Sequence, residues 1–529
     1  MKKIVTSILL VAVMLLNVIS MASCNNNPGN VDDIIDNIDK EIAKIGWQVP
    51  ENGYDGSAVT ITFWHTMSAT KLQPTLDLYI QEFNKLYPNI TVVHSSPGSY
   101  DDVLDQVKTA MTAGNEPHIA YCYPDHVATY NNAKKVVPLD NLINSTIPVT
   151  DALGNTTVLG LSDAQKADFI PGYYAEGAVF DEAGTMYTLP MSKSTEALYY
   201  DKTFFAEHGL KVPTTWEEME DVCKKIKEID PNSIPLGYDS EANWFITMCM
   251  QSGGPDLYTK LDENKDYFKF DNEVTREFVK KFRTWYELGY VTTEELYGSY
   301  TSGLFTNTSL VDVNNTPDDT SDDVKQRCYM VIGSTGGASY QQPPTDGDGA
   351  PLFETAMTTI PQVNPEKPQV ISQGPSLCIF KKSNPQEVVA SWLFVEFLTT
   401  NADFQAEFSK ISGYAPVIQS VQNNEDYTNW LNSAKGEVTQ AVDENGQPVF
   451  VDGEPVLIDA NLTAMSVKLA LSQANAYYVS PAFNGSSEAR EQVGLIMVNV
   501  FGSTRNDIKA LIDEEFRRAM DECKYAVNN

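Results

Sequence analysis

The part of the chain that follows residue 57 repeats a strand-like and then a helix-like pattern of apolar positions. In residues 59–64 apolar and polar side chains alternate, which predicts a β-strand, and in residues 72–83 the apolar positions recur at helical spacing. Residues 90–93 and 119–123 predict further strands, and residues 100–111 predict a further helix. Strands that alternate with helices form parallel sheets, so we expect an α/β fold.

Helix start signals and irregular polar stretches mark the rest of the chain. Thr215 and Glu218 have the spacing of a capping box, and Asn384-Pro385 predicts the start of another helix. The last long helix is predicted over residues 504–523. Polar, irregular stretches occupy residues 301–325 and 421–460, and the second contains two sequences typical of hairpin turns, Asp443-Glu444-Asn445-Gly446 and Val451-Asp452-Gly453.

The N-terminal segment has the pattern of an export signal. Lys2 and Lys3 precede a mostly apolar run over residues 4–19, as in secretory signals. The run leads to Met21-Ala22-Ser23-Cys24, which resembles a bacterial lipobox, although leucine is more usual where Met21 stands. The expected result is a signal peptide over residues 1–23, a lipid on Cys24 and a tether over residues 24–56. The alternatives are an ordinary signal peptide with a chance cysteine, or an uncleaved anchor.

Composition and charge narrow the class of protein. The 529 residues include 71 Asp+Glu against 37 Lys+Arg, a formal net charge of -34, which excludes a nucleic-acid-binding surface that needs a basic stripe. A hydrophobic fraction of 42% supplies well-packed cores, and the single long apolar run excludes several membrane spans. The wide spacing of the cysteines that follow Cys24 favours buried free thiols for most of them.

Fragments spread along most of the chain carry a resemblance to one known family. The first is ITFWHTMSATKLQPTLDLYIQEFNKLYPNI, which begins at residue 61. The others are GSYDDVLDQVKTAMTAGNEPHIAYCYPD (98–125), MYTLPMSKSTEALYYDKTFF (186–205), VPTTWEEM (212–219), CYMVIGSTGGA (328–338), SQGPSLCIF (372–380), WLFVEFLTTNADFQAEFSKISGYAPV (392–417) and AFNGSSEAR (482–490). In this order they resemble the family 1 extracellular solute-binding proteins of ABC sugar importers, and within that family the glycerol-3-phosphate-binding branch.

The resemblance implies a periplasmic-binding-protein-like fold, with two α/β lobes joined by crossing strands that close on a ligand. The family's crossovers fall near Leu189-Pro190, Thr359-Ile360 and Ser412-Gly413. The predicted N-lobe therefore comprises residues 57–190 and 358–412, and the predicted C-lobe comprises residues 191–357 and 413–529. The implied protein is an exported monomer without a cofactor, held by the lipid on Cys24 at the outer face of the cytoplasmic membrane or in the periplasm, which delivers a small ligand to an ABC permease.

Candidate ligand-binding residues lie at predicted strand ends and at positions that match the family's contacts. A sugar or polyol needs carboxylates or amides beside aromatic rings, and small residues let backbone N–H groups approach an anion. If Arg490 lies in the cleft, it favours an anionic ligand. The candidates are Trp64, His65, Tyr100, Asp125, Ser194, Ser334, Thr335, Gly336, Gly374, Tyr414 and Arg490.

The sequence leaves the ligand and two other functions open. The ligand is either a phosphorylated polyol or a neutral sugar or oligosaccharide, because surface charge is screened within about 8 Å and does not decide between them. A glycosidase that pairs Asp101 or Asp102 with Asp125 is one alternative, and a structural surface lipoprotein is the other. The spacing of His118, Cys122 and His126 offers too few ligands for a predicted zinc site.

Overall fold

The strands form two separate five-stranded sheets. The computed structural model describes residues 47–528 apart from 182, 262–265, 308–309, 312–323, 433–438, 441–449, 452–453, 456, 459 and 480–481. The predicted signal peptide, Cys24, most of the tether and the predicted hairpin turns (apart from Val451) lie outside the described residues. The ten sheet strands are β1 (Val59–Trp64), β2 (Ile90–Ser95), β3 (Ile119–Cys122), β4 (Thr188–Pro190), β5 (Glu196–Asp201), β6 (Leu236–Tyr238), β7 (Val291–Thr293), β8 (Met330–Ser334), β9 (Thr355–Thr358) and β10 (Ser376–Ile379).

Twelve longer helices accompany the sheets in the described chain. They are α1 (Gln73–Leu86), α2 (Tyr100–Ala113), α3 (Pro124–Asn132), α4 (Trp216–Ile229), α5 (Glu241–Ser252), α6 (Glu273–Glu287), α7 (Pro385–Thr400), α8 (Ala402–Ser412), α9 (Glu425–Asn432), α10 (Ala460–Ser472), α11 (Ser486–Gly502) and α12 (Ile508–Asn528). The predicted capping box opens α4, where the Thr215 side chain accepts from the backbone N–H of Glu218. The predicted Asn384-Pro385 start opens α7, and the predicted final helix corresponds to α12, which begins later than expected.

Shorter elements complete the described chain. The short α-helices are Asp140–Ile143, Asp163–Asp168, Pro171–Ala175, Lys202–Glu207, Glu294–Tyr297, Ser302–Phe305 and Gln419–Gln422, and the 3-10 turns are Glu176–Ala178, Gly254–Leu257, Thr335–Tyr340 and Ala474–Ala476. The short strand pairs are Pro148–Thr150 with Thr156–Val158, Leu310–Val311 with Val324–Lys325, Val370–Ile371 with Tyr477–Tyr478, Thr439–Gln440 with Leu457–Ile458, and Phe450–Val451 with Glu454–Pro455.

Parallel strands dominate one side of each sheet. The first sheet has the order β2-β1-β3-β10-β4, in which β1 is parallel to β2 and β3, and β10 is antiparallel to β3 and β4. The second has the order β9-β5-β8-β6-β7, in which β6 is parallel to β7 and β8, and β5 is antiparallel to β8 and β9. The predicted parallel unit β1-α1-β2-α2-β3 is therefore confirmed, and each sheet presents the carboxyl ends of its parallel strands along one edge.

Each sheet has its own hydrophobic core. The first core packs β1 and β3 against α1, α7 and α8, with Phe63, Phe83 and Phe394 in ring contact. The second core packs the other sheet against α4, α5, α6 and α11, and in it the rings of Trp244 and Phe282 lie 4.2 Å apart. Two α/β lobes with separate cores confirm the predicted fold class.

The segments that connect the two sheets can be compared with the predicted crossovers. The first connects β4 to β5 through residues 191–195, next to the predicted Leu189-Pro190. Val370 and Ile371 still belong to the second core, so the chain returns from β9 to β10 through residues 372–375. Beyond the predicted Ser412-Gly413 the chain contacts both lobes, since Val417 packs in the first core and Leu462 on α10 packs beside Tyr199 of the second sheet. The lobe boundaries therefore stay predictions. We call residues 191–195 the first crossover and residues 372–375 the second crossover.

The described chain contains free thiols, and its helices can be compared with the requirements of a membrane span. Cys122, Cys223, Cys249, Cys328, Cys378 and Cys523 are all buried and unpaired, in agreement with the prediction of buried free thiols. No helix in the described ranges combines the length and the apolar character that a membrane span requires.

Candidate functional site

A cavity lies where the two lobes meet the two crossovers. Its empty space, including the part open to solvent, is about 540 Å³. Side chains of both charge signs line it, from α3 in the first lobe, from α11 in the second lobe and from the crossovers. The lining residues are Tyr123, Pro124, Asp125, Glu176, Lys193, Tyr258, Ile371, Ser372, Gln373, Gly374, Val479, Ser486 and Arg490.

Arg490 on α11 is the cation that reaches the cavity from the second lobe. Its Nη2 donates a hydrogen bond to Oδ1 of Asn243 on α5, and the side-chain amide of Asn243 donates to Gln373 at 3.2 Å. Burial alone lowers the pKa of Arg490, but the nearby charge of Asp125 and weaker effects of neighbouring groups outweigh burial, so the pKa lies above its ordinary value. The guanidinium therefore stays charged and faces a carboxylate from the opposite lobe.

Tyrosines form a second part of the site beside Arg490. The ring centroids of Tyr100 and Tyr123 lie 4.5 Å apart, and Tyr414 is close enough to Tyr100 for each side chain to affect the pKa of the other. Burial, reinforced by the neighbouring tyrosines, raises the pKa of Tyr100 and of Tyr414 well above the ordinary value. Both phenols consequently remain protonated and are available as hydrogen-bond donors.

Small residues at the end of β8 and in the crossovers bring backbone and hydroxyl groups close to these rings. Ser334 donates a hydrogen bond to Ser194 at 3.2 Å, and Ser334 Oγ accepts from the backbone N–H of Gly336 at 3.1 Å. A Cβ on Gly336 would lie 2.5 Å from the ring of Tyr414, so only glycine admits the ring at this distance. Ser194, Ser334, Gly336 and Tyr414 thus form one connected group.

The other predicted site residues have different surroundings. Thr335 is fully buried, and its Oγ1 accepts a hydrogen bond from the backbone N–H of Thr195, so it fastens the first crossover to the second lobe. Trp64 packs against the small core beneath α2 and α3. Asp125 is 8% exposed, and Asp125, Gly374 and Arg490 line the cavity.

His65 belongs to a buried chain of ring nitrogens in the first lobe. Its Nδ1 accepts from the backbone N–H of Met67 at 3.1 Å, and its Nε2 lies 2.9 Å from Nδ1 of His94. His94 Nε2 in turn lies 2.8 Å from Asp77. Burial, with a smaller effect of His94, lowers the pKa of His65 to about 3. Both ring nitrogens of His65 are therefore occupied by protein, and it offers nothing to a ligand.

Two of the three suggested metal ligands, His118 and Cys122, have protein partners. The ring of His118 lies 2.9 Å from the Thr62 hydroxyl, and the Cys122 thiol donates to the backbone carbonyl of Ser376 at 3.4 Å. Across the residues whose positions are described, no group of three or more His, Cys, Asp or Glu side chains has the arrangement of a metal site.

The structure adds cavity residues that the sequence analysis missed. Tyr123 follows β3 directly, so the strand-end rule that selected Asp125 applied to it equally. Lys193 is next to Ser194 in the first crossover, but a lysine there gives no signal of burial. Glu176 and Tyr258 come from turns far away in sequence, so no local pattern connects them with the site.

Glu196 at the start of β5 is a fully buried carboxyl group beside Asn243 and Tyr238. Tyr238 donates a hydrogen bond to its Oε2 at 2.9 Å. Burial raises the pKa of Glu196 to about 7, and this effect outweighs the hydrogen bonds and the charge of Arg490, which lower it.

The stability of the protein should therefore respond to pH through Glu196. Its folded pKa exceeds its ordinary value of 4.5, so the folded state binds more protons than the unfolded state, and stability falls as pH rises from about 4.5 to 7. We expect the Glu196→Gln variant to be more stable than the wild type at pH 8, with a free energy of unfolding higher by at most about 3 kcal/mol. At pH 5 the difference should be much smaller. Urea unfolding at both pH values measures this, with the exposed Glu228→Gln as control; a difference that does not change with pH contradicts it.

A cavity lined by charged groups from two α/β lobes and their crossovers defines a two-lobed ligand-binding protein of the periplasmic-binding-protein-like class. The chain belongs to the bacterial extracellular solute-binding protein family, whose profile matches residues 79–434. The family predicted from the resemblance is thereby confirmed.

Part of the chain is also similar in sequence to individual members of known function. The sn-glycerol-3-phosphate-binding periplasmic protein UgpB is 27% identical over 187 residues in both Shigella flexneri serotype 5b (strain 8401) and Escherichia coli (strain K12), and the match covers 35% of this chain. It spans 38% of the length of these relatives.

Solved structures share the fold at low sequence identity. UgpB from Mycobacterium tuberculosis in complex with glycerophosphocholine superposes with a TM-score of 0.63 at 16% identity, over 89% of this chain and 99% of that one. The sugar-binding protein MalE from Xanthomonas citri has a TM-score of 0.57 at 17% identity, over 88% of this chain and 98% of that one.

Proposed function

We propose that this protein is the solute-binding component of an ABC importer that captures a phosphorylated polyol between its lobes and delivers it to a membrane permease. The observation that carries the proposal is the position of Arg490, a charged guanidinium in the cavity at the junction of the lobes. A planar guanidinium matches a phosphate group with two parallel hydrogen bonds.

The rest of the site suits a polyol phosphate ester. The protonated phenols of Tyr100 and Tyr414 donate hydrogen bonds, and the hydroxyls of Ser194 and Ser334 both donate and accept them. Asp125 supplies a carboxylate for ligand hydroxyls. The names of the relatives support this ligand class, since one binds sn-glycerol 3-phosphate and the other was solved with glycerophosphocholine.

Two sets of contacts between the lobes support a mechanism of closure. Lys71 donates to Ser339 at 3.1 Å and lies 4.4 Å from the ring of Tyr340. In the second set, the hydroxyls of Thr129 on α3 and Ser487 on α11 lie 3.2 Å apart. A ligand that touches both lobes binds the closed arrangement more tightly, and a permease that recognises this arrangement thereby detects the ligand.

A neutral sugar is the second candidate ligand. Tyr300 and Tyr340 are 61% and 55% exposed, and both are near Tyr414. Exposed tyrosine rings beside a cleft provide the flat apolar faces on which sugar rings stack. A neutral ligand would use these rings and the carboxylates, and it would gain little from Arg490.

The location and the absence of catalysis complete the proposal. We propose that the lipid on Cys24 holds the protein at the outer membrane face as a monomer. Of the two acidic pairs considered for a glycosidase, only Asp101 with Asp125 remains, because the Asp102 carboxylate accepts the backbone N–H of Ser99 at 2.7 Å in the capping box of α2. Incubation with glycosides tests this point, since turnover would contradict a pure binding role.

A thermal-shift screen tests the proposed ligand class. A ligand that binds only the folded protein raises the melting temperature with the logarithm of its excess over Kd. We expect sn-glycerol 3-phosphate or glycerophosphocholine to raise it by several degrees at millimolar concentration, as an order of magnitude. If maltose and other neutral sugars shift it and the phosphates do not, the second candidate replaces the first; if no compound does, the binding role is contradicted.

The contact between Gly336 and Tyr414 gives a matched pair of variants. Gly336→Ala places a methyl group 2.5 Å from the Tyr414 ring and displaces it, so we expect about tenfold weaker binding of the ligand that the screen identifies. Gly337→Ala meets no atom within 4 Å and should bind within about twofold of the wild type. Titration calorimetry on both variants measures the difference, and equal affinities would show that Tyr414 does not contact the ligand.

A further inference from the structure

A buried ion pair lies at the bottom of the cavity, between the first lobe and the first crossover. Lys193 Nζ donates to Oε2 of Glu176, a residue of the 3-10 turn Glu176–Ala178. Their side chains are only 1% and 5% exposed, and both residues line the cavity. The pair therefore lies where the lobes are joined.

Contacts of this pair include both crossovers. The Ser372 hydroxyl donates to Oε1 of Glu176 at 2.7 Å, and Lys193 Nζ also lies 3.5 Å from the carbonyl oxygen of Gly374. Glu176 is consequently bound by a lysine from the first crossover and by a hydroxyl from the second. One carboxylate fixes both crossovers to the first lobe.

The same crossovers carry predicted ligand contacts. The backbone N–H of Ser194 donates to Gln373 at 2.8 Å, and the N–H of Gln373 donates back to Ser194 at 3.0 Å. Ser194 follows Lys193 in the chain, and Gly374 follows Gln373. A displacement of the ion pair would therefore move both Ser194 and Gly374.

The energetics of buried ion pairs favour a positioning role over a purely stabilising one. The loss of hydration on burial offsets most of the attraction within a pair, so an apolar or neutral pair of similar size often gives equal stability. Removing one partner, however, leaves a buried charge without compensation. A contribution to stability alone therefore explains this ion pair poorly. Its hydrogen bonds to both crossovers instead fix the position of one crossover relative to the other.

We propose that Glu176 and Lys193 are positioning residues of the ligand site, whose ion pair holds the two crossovers so that Ser194 and Gly374 meet the ligand in the closed protein. This inference rests on the proposed function only in that the cavity binds a ligand. Loss of the pair should therefore weaken ligand binding and loosen the crossovers. Loss of a purely structural ion pair should lower stability only.

The chain offers a matched control for this test. Asp201 and Arg327 form another buried ion pair, with Nη2 of Arg327 3.0 Å from Oδ2 of Asp201 and side chains 3% and 9% exposed. This pair lies in the second lobe, and neither residue lines the cavity. Variants of the two pairs should therefore lose similar stability and differ in ligand binding.

The experiment compares Lys193→Met, the double variant Glu176→Gln/Lys193→Met and Arg327→Met in the full chain. We expect both single substitutions to lower the melting temperature by about 5 °C and the double variant to recover most of it. Binding of sn-glycerol 3-phosphate and glycerophosphocholine should weaken about tenfold in Lys193→Met and in the double variant, and stay within about twofold of the wild type in Arg327→Met. Wild-type affinity in the folded double variant would overturn the proposal.

Hydrogen exchange without ligand separates this inference from the proposed function. If the wild type binds neither phosphate compound, that ligand assignment fails, and the amides of residues 191–195 and 372–374 still report on the crossovers. We expect exchange there to be about tenfold faster in the double variant than in the wild type, and unchanged in Arg327→Met. Equal exchange in the wild type and the double variant would overturn the positioning role.

Discussion

Arg490→Met is expected to weaken binding of sn-glycerol 3-phosphate by about a hundredfold or more, and to change binding of a neutral sugar by less than about threefold. The guanidinium is the cavity's cation from the second lobe, and its partner Asn243 holds it in place through Gln373. Removing one member of a buried, hydrogen-bonded charge pair in a binding site costs about 2–5 kcal/mol. A neutral ligand lacks the opposite charge and loses only packing.

Two further variants separate the site from the general field of the protein. Arg276→Met removes the same charge from the surface, where Arg276 pairs with Asp271 and Asp513, and should leave affinity within about twofold of the wild type. Arg490→Lys keeps the charge but not the planar fork, so an intermediate loss is expected. Titration calorimetry on the three variants provides the test, and equal losses in Arg276→Met and Arg490→Met would assign the effect to net charge.

Gly374→Ala is the substitution with the second largest expected effect. Gly374 has φ +104°, which side chains with a Cβ rarely adopt, and the added Cβ would lie 2.5 Å from the carbonyl oxygen of Ser192 and 2.8 Å from Cα of Lys193. These are backbone atoms of the first crossover, so no rotation of a side chain relieves the contact. We expect a loss of about 3 kcal/mol in the free energy of unfolding and at least tenfold weaker ligand binding.

A glycine in open surroundings serves as the control for Gly374→Ala. Gly172→Ala meets no atom within 4 Å and lies in the short helix Pro171–Ala175, so its stability should stay within about 1 kcal/mol of the wild type. Urea unfolding gives the stabilities, and calorimetry gives the affinities. A Gly374→Ala protein with the wild-type urea midpoint and ligand affinity would contradict this expectation. It would show that the crossovers are not held in fixed positions and move apart to accept a side chain.

Local sequence patterns predicted many of the elements, and the family resemblance supplied several of the candidate site residues. Alternation in residues 59–64 and the helical spacing that follows correspond to β1 and α1, and the capping box at Thr215 opens α4. Asp125, Gly374 and Arg490 line the cavity because they lie at element ends or in crossovers, where position in sequence largely determines position in the fold. The boundaries of these elements depend mainly on interactions within a few residues.

Long-range packing explains what the sequence did not predict. His65 directly follows β1, a position expected of a ligand-binding residue, but its Nε2 contacts His94 on β2 instead. Glu176 and Lys193 lie 17 residues apart and meet through the packing of the first lobe, so the ion pair has no local signal. Long-range packing likewise decides which core accepts Ile371 and Val417, because the sequence neighbourhoods of these two apolar residues do not distinguish the cores.

The most direct test of the central claim is a calorimetric titration of the wild-type protein with sn-glycerol 3-phosphate and glycerophosphocholine, with product analysis of the same samples. The account predicts saturable binding of at least one of them at one molecule per chain, with the ligand recovered unchanged. Absence of saturable binding of both compounds, or conversion of either into products, would contradict the assignment of this protein as a polyol-phosphate-binding component of an importer.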